Sequence, residues 1–380
     1  MSDHLAVCEL RNESDFLVLR DDWNKLIDAD HRATIFQTWE FQYHAWRMTG
    51  APDSLCMATV RNQTGNLVGC APLAVTRWGF GPAKARILEF ASGPFCDYGD
   101  FLIHADYAES VLKALSAWLR QNLHRWDVVR FRGVREDSWV NHANLFFSKL
   151  ACPFTAVQVG TAPYLSFKTS WSSYEDALDH RHASILRYKV KKLFRNLNCR
   201  LESAAAGPSL ERALHSLMEL HQQRMRSKGR RSFFSDPAVR TEFGTLVKRL
   251  AARRLAQVYT LVCDQKTIAA ICIFKFRGTM FFYQGGFDTT CSRLSPGVVL
   301  HCLCITEGIR DKARQYDFLQ GREPYKFIWA NEERLLYDFE FLTKAWQRIL
   351  IRWCDRTRLF LSRRKWARRI YYRCLPGHRR

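Results

Sequence analysis

The 380-residue chain contains no run of eighteen uninterrupted apolar residues, so no membrane-spanning helix is expected. It has neither a Gly-x-Ser-x-Gly elbow nor a Walker-type phosphate loop. A covalent serine mechanism and a P-loop nucleotide site therefore have no support. His180-Arg-His182 stands without a cysteine or carboxylate cluster at zinc spacing, so no metal is expected. The opening residues, Met1 to Asp15, carry no basic region followed by an apolar one, and a secretory signal is not expected. The 13 cysteines are odd in number and irregularly spaced, with Cys263, Cys272, Cys302 and Cys304 inside apolar runs. They read as small buried hydrophobes in a reducing cytoplasm rather than as a disulfide framework.

What the sequence does hold is apolar and cationic. Hydrophobic residues make up 47% and aromatics 13%, enough for a sizeable core in one large or two ordinary domains. The formal net charge is +21, and it is unevenly placed. Residues 1–100 carry nine basic and thirteen acidic side chains. Residues 181–200 hold seven basic side chains and no acid, 224–254 ten against two, and 344–380 thirteen against Asp355 alone. A mildly acidic body thus bears three basic elements, which would attract a polyanion: cofactor phosphates, tRNA or an anionic membrane. A solvated basic face with no dedicated partner has the same composition. In the tail, Trp346, Ile349, Leu350, Trp353 and Phe360 follow helical spacing, with arginines largely between them. This predicts an amphipathic cationic helix, suited either to a membrane surface or to packing on the body.

The order of predicted elements repeats. The first half reads as a strand (5–10), helices (15–29 and 39–48), a hairpin (55–60 and 67–75) and a strand (86–90). A Gly/Pro loop (92–100), a helix (108–123) and a strand (127–131) follow. The second half reads as helices (210–226 and 238–253), three strands (257–263, 267–276, 279–284) joined by short links, and a Gly/Pro loop. A helix from Val298 and a strand over Tyr316–Leu319 complete it. Short links make the three strands an antiparallel meander. Pro296 fits the start of a helix because it has no N–H to lose there. The amides at that start can receive an anion, although Ser-Pro-Gly is also a plain helix-start signal.

Three groups of residues carry a resemblance: Phe287-Asp288, Leu294-Ser-Pro-Gly297, and the block Asp317-Phe-Leu-Gln-Gly321-Arg-Glu-Pro-Tyr325-Lys326-Phe-Ile-Trp329. Looser echoes are Phe36-Gln-Thr-Trp39, Ala71-Pro-Leu73 and Asp97-Tyr-Gly-Asp100. Over roughly residues 15–340 the chain resembles the GNAT N-acyltransferases, in the CelD-type family associated with cellulose and exopolysaccharide biosynthesis. The resemblance implies an α+β fold of tandem GNAT-like domains, as in FemAB and FemX, each a mixed, mainly antiparallel sheet flanked by helices. The implied division is an N-terminal domain (1–165), a basic helical connector (166–205), a C-terminal domain with the acyl-CoA site (206–343) and the tail (344–380). The family's pyrophosphate loop is Arg/Gln-x-x-Gly-x-Gly/Ala. Arg293-Leu-Ser-Pro-Gly297-Val298 departs from it, with one glycine and one extra residue.

Acyl transfer needs a deprotonated acceptor, a stabilised carbonyl oxygen and a proton for the leaving thiolate. The fold supplies the second from a backbone N–H on strand 279–284. Asp317 or Glu323 would act as base, directly or through water, and Tyr325 would protonate the sulfur. Arg293, Ser295, Gly297 and Val298 would hold acetyl-CoA or another acyl-CoA. Lys326, Tyr283 and Asp288 would contact substrate. Each has a plainer reading: Asp317 as a strand-start residue, Tyr325 in the core, Asp288 bracing its loop. The basic helix with Arg187, Lys189, Lys191, Lys192 and Arg195 would hold an anionic substrate or serve as a solvated connector. The expectation is a cytoplasmic N- or O-acyltransferase acting on a small-molecule or saccharide-linked acceptor, with an anionic membrane surface as partner of the tail. Two alternatives stay open: a FemAB-like transferase using aminoacyl-tRNA, and a non-catalytic scaffold at the membrane.

Overall fold

A computed structural model describes residues 5–78, 84–147 and 153–343. The helix expected in the tail at 344–380 lies outside the described residues. The strands are β1 (Ala6–Leu10), β2 (Met57–Arg61), β3 (Leu67–Ala71), β4 (Leu73–Trp78), β5 (Ala85–Phe90), β6 (Leu102–Ile103) and β7 (Val128–Arg135). They continue with β8 (Phe154–Ser166), β9 (Cys199–Ala204), β10 (Ala256–Cys263), β11 (Lys266–Phe276), β12 (Thr279–Phe287), β13 (Gln315–Asp317) and β14 (Glu332–Leu342). The helices are α1 (Glu13–Val18), α2 (Arg20–Ala29), α3 (Trp39–Met48), α4 (Ala108–Asn122), α5 (Trp139–His142), α6 (Asn144–Phe147), α7 (His180–Asn196), α8 (Gly207–Ser227), α9 (Pro237–Ala252) and α10 (Pro296–Arg310). The fold is α+β, with mixed, mainly antiparallel sheets flanked by helices, as expected. Packing divides the chain into two units, Met1–Val159 with Leu336–Arg380, and Gly160–Leu335.

In the first unit β1, β2, β3 and β6 form one antiparallel sheet. β4 pairs antiparallel with β5, and β5 pairs parallel with β7 over Ile87–Glu89 only. The parallel step requires a crossover, and α4 supplies it. The apolar face of α4 (Val111, Leu112, Leu115, Leu119) joins a core with Val60, Leu88, Phe131 and Phe339. Thr38 caps α3, which buries Trp39, Phe41, Ala45 and Trp46 against Phe16. The expected helix over 15–29 is two helices that meet at Leu19.

The second unit repeats the device. β9, β10, β11 and β12 run antiparallel, β13 pairs parallel with β12, and β8 pairs antiparallel with β13. Alternation along the strands serves two faces. Ile271, Ile273 and Phe282 pack with Leu186 and Leu193 of α7 and Val299, Leu300 and Ile305 of α10. Tyr283 and Phe274 meet each other at 4.8 Å, and Tyr283 meets Phe243 of α9 at 6.0 Å. The meander appears as expected, but β9 lies within the stretch read as a helical connector. The strand expected over Tyr316–Leu319 stops at Asp317, because Leu319 turns into the left-handed region at φ 60°.

The reading of all cysteines as free thiols is corrected at one pair. Cys199 and Cys263 face each other across the β9–β10 ladder and are joined by a disulfide. The pairing is invisible until β9 is recognised as a strand, since 64 residues separate the two positions. Cys272, Cys302 and Cys304 are free and buried.

One buried carboxyl in the first unit ties solution pH to stability. Asp100 accepts backbone N–H bonds from Phe101 (2.8 Å), Val140 (3.0 Å) and Trp139 (3.0 Å). Burial nonetheless pushes its pKa up to about 7, with Asp30 adding to the rise. The folded state therefore keeps a proton that the unfolded chain releases near pH 4, and stability falls as pH rises from about 4 to about 7. Asp100→Asn cannot ionise. Urea denaturation at pH 5 and pH 7.5 is expected to show the wild type losing on the order of 2–4 kcal/mol more than this variant across the window. Equal losses would refute the assignment.

Candidate active site

The geometry of the second unit turns on where a strand pair ends. β12 and β13 pair over Thr279–Phe281 and Gln315–Asp317 and no further. β12 continues to Phe287, held on its other side by β11, while the chain after Asp317 turns away at Leu319. Among the described residues no strand pairs with 282–287 on the β13 side, which leaves a wedge edged by backbone groups. The β11–β12 register slips at this point: Cys272 faces Gln284 and Ile273 faces Phe282, so Tyr283 is an extra residue. Such a bulge re-aims the backbone of the strand that carries it.

The block from Asp317 to Trp329 forms the far wall, and its residues hold one another. Asp317, 1% exposed, is bound by Arg334 at 2.7 Å and accepts the Leu319 N–H at 2.8 Å. Lys326 is buried and donates to the carbonyls of Leu319 (3.3 Å) and Gln320 (2.8 Å), with Glu323 at 3.0 Å. Gly321 adopts φ 126°, and a Cβ there would lie 2.5 Å from a Glu323 carboxylate oxygen. Burial opposes the charge on Glu323, yet Lys326 and Lys228 hold its carboxyl below the usual range. Tyr325 lies 5.7 Å from the His301 ring, and burial, then Glu323, drives its hydroxyl above the usual phenol range.

His301 of α10 is the centre of this wall. It is surrounded by Phe282 (4.6 Å), Phe318 (5.8 Å), Tyr316 and Tyr325, with Nδ1 3.1 Å from the Tyr316 hydroxyl. Burial first, then Arg224 and Lys326, pushes its pKa down to about 3, so the ring is neutral near pH 7. His221 of α8 is likewise buried, held at about 4, and 2.8 Å from Ser232 Oγ. α8 lies flush on β12: a Cβ at Gly286 would stand 2.3 Å from the His221 nitrogen.

The start of α10 closes the near end. Ser295 takes a left-handed conformation (φ 53°) before Pro296, and its carbonyl accepts the N–H groups of Val298 (3.0 Å) and Val299 (3.1 Å). The Gly297 N–H has no acceptor among the described residues. A Cβ at Gly297 would approach the Phe287 ring at 3.2 Å, so the turn sits against the end of β12. Arg293 lies in the preceding 3-10 turn.

The predicted residues thus divide. Asp317, Glu323, Tyr325 and Lys326 come together on one wall, and Ser295, Gly297 and Val298 lie at the end of the wedge. Tyr283 points into the aromatic cluster with Phe243 and Phe274. Asp288 caps its turn through Thr290 and binds Lys266 at 2.5 Å; against the cost of burial these partners hold its carboxyl low. The sequence reading missed His301, His221, Arg224 and Arg334. Single residues inside helices or beyond a motif carry no spacing signal. A separate cavity of about 450 Å³, lined by Arg200, Arg212, His215 and Thr260 among others, holds none of the expected residues. Among the described residues no helix is long and apolar enough to cross a membrane, and no cluster of metal-binding side chains occurs.

Residues 180–327 match the acetyltransferase (GNAT) domain family. A comparison with curated proteins finds no match. The fold is similar to that of FemX, with 10% identity, 85% of this chain and 96% of that one covered, and a TM-score of 0.57. A conserved protein of unknown function from Bacteroides thetaiotaomicron is 11% identical with a TM-score of 0.53, over 89% of this chain and 100% of that one. L-PGS from Bacillus licheniformis is 10% identical with a TM-score of 0.51, over 87% and 94%.

The far wall can be tested as a structural unit. Lys326→Met strands the Leu319 and Gln320 carbonyls and is expected to lower unfolding stability by about 1–3 kcal/mol, read from the urea midpoint. An unchanged midpoint would show that Lys326 does not brace this loop.

Proposed function

We propose that the second unit transfers an acyl group from acyl-CoA, most simply acetyl-CoA, to an amine or hydroxyl. The observation that carries this reading is the parting of β12 from β13 after three paired residues. An extended thioester arm fits between two strands only where their backbone groups are not already bonded to each other. The wedge meets that condition, and the Gly297 amide at its end suits a phosphate. Arg293, Ser295 and Val298 flank that amide. Bound there, acyl-CoA supplies the activated acyl group.

The chain's own residues then have assignable tasks. Those backbone N–H groups of 282–287 that are not directed at β11 face the wedge and can stabilise charge on a carbonyl oxygen. Tyr325 is protonated at neutral pH, as any phenol is, and its hydroxyl can serve as the donor to a departing thiolate. Glu323, ionised and beside Lys326, can hold or accept the acceptor's proton through water. Asp317 is engaged by Arg334 and acts by fixing the point where the strands part. Lys326 and Asp288 shape loops at either end of the wedge, and Tyr283 sets the bulge. The CelD-type resemblance favours a saccharide-linked acceptor of the cell envelope.

A second reading, with aminoacyl-tRNA as donor, is favoured by the exposed basic face of α7, where Lys191, Lys192 and Arg195 point to solvent while Leu186 and Leu193 are buried. Filter binding of bulk tRNA across a salt series separates the two. A tRNA donor requires affinity that falls steeply with salt.

Calorimetric titration with acetyl-CoA is expected to give one site per chain, and no heat at millimolar ligand would overturn the acyl-CoA reading. Tyr325→Phe is expected to lower kcat by about 10–1,000-fold with little change in KM for acetyl-CoA, followed as thiol release with a panel of amino sugars. A loss confined to KM would assign Tyr325 to binding instead.

A further inference from the structure

The C-terminal end of α8 gathers basic side chains that make no ion pair of their own among the described residues. Arg224 lies in the last turn of α8 and Lys228 is its C-cap residue. Gly229 turns the chain at φ 64°, and the Arg230 N–H returns to the Met225 carbonyl at 2.9 Å, which folds Arg230 back toward the helix end. The cations that line the wall are paired, Lys326 with Glu323 and Arg334 with Asp317, as are Lys266 with Asp288 and Arg187 with Glu175. Arg224, Lys228 and Arg230 make no ion pair among the described residues. The one carboxylate felt at Lys228 is Glu323, already engaged by Lys326. Burial, then the charges of Arg224 and Arg230, depresses the Lys228 pKa, as expected for cations crowded without an anion.

Arg224 is the most informative of the three. Its guanidinium carbon lies 5.1 Å from the centre of the Phe287 ring, at the open end of β12. Its Nε is buried and has no hydrogen-bond partner. A buried donor without an acceptor is unfavourable by about 1–3 kcal/mol, and a guanidinium is the side chain best shaped to take two oxygens at once. Its charge acts on His221, His301 and Tyr325, so the unfilled fork lies beside the wall assigned to acyl transfer.

We propose that Arg224, Lys228 and Arg230 bind a phosphoryl group carried by the acyl acceptor. With Glu323 engaged by Lys326, the three cations have no carboxylate of their own, which suits a doubly charged phosphoryl group better than a single carboxylate. The inference rests on the acyl-transfer reading for the word acceptor. The same chemistry is carried by the diphosphate of an acyl-CoA donor, so the test must separate the two sources.

The full-length protein is titrated with inorganic phosphate at about pH 7.5, where the dianion predominates, with and without saturating CoA. Wild type is compared with Arg224→Lys, which keeps the charge and loses the fork, and with Lys228→Ala at an exposed position. Near-UV circular dichroism reports on folding. Phosphate is expected to bind with or without CoA, and either substitution is expected to weaken it at least about fivefold, with CoA affinity kept within about twofold. Unchanged phosphate affinity in both variants overturns the proposal, as does acetate binding as tightly as phosphate. Phosphate binding abolished by CoA, or a parallel loss of CoA affinity, also overturns it and assigns the cations to the donor. CoA that fails to bind the wild type overturns the acyl-transfer reading itself, in a titration separate from the phosphate series.

Discussion

The second unit depends on a strand pair that is allowed to end early. Parallel pairing of β12 with β13 covers three residues, after which Leu319 turns the chain away and the Arg334–Asp317 ion pair pins the departure point. A sheet that continued to pair would close the free edge of β12 along 282–287 and leave nowhere for a ligand to enter. The wedge persists because each side is held from elsewhere: β12 by β11 and α8, and the departing segment by Lys326 and its carbonyl partners. Sheet hydrogen bonding to β11 fixes one side, and side-chain charge fixes the other.

The Asp317–Trp329 block is therefore more a scaffold than a row of reactive groups. Asp317 and Lys326 are buried and bonded, Gly321 is needed for its backbone angle and for room beside Glu323, and Tyr325 alone presents a hydroxyl with no bond among the described residues. That division explains how a motif can be dense in ionisable residues while leaving little of it for chemistry. A neutral His301 behind Tyr325 fits the same logic, since a charged ring among Phe282, Phe318 and two tyrosines would be costly.

Much of the framework was legible in the sequence because it follows from local rules. Short links force β10, β11 and β12 into a meander, and Pro296 marks the first turn of α10. What stayed hidden depends on partners distant along the chain. β9 is a short strand behind a basic helix, and its alternation becomes meaningful only beside β10. Cys199 and Cys263 follow from that pairing. Arg334 acquires its role from Asp317, seventeen residues earlier, across a sheet. His301 is a solitary polar residue on an apolar helix and Arg224 one of a run of basic ones, and nothing in either neighbourhood reveals that both converge on one place.

The contact between α8 and β12 at Gly286 is made by backbone on both sides, with no side chain between them to bend or repack. The span from Arg224 to the amide edge of β12 is consequently a rigid ruler. A molecule gripped at the helix end would offer its nucleophile at one fixed reach, and candidates of other lengths would be rejected by geometry alone, without any pocket shaped to their carbon skeleton.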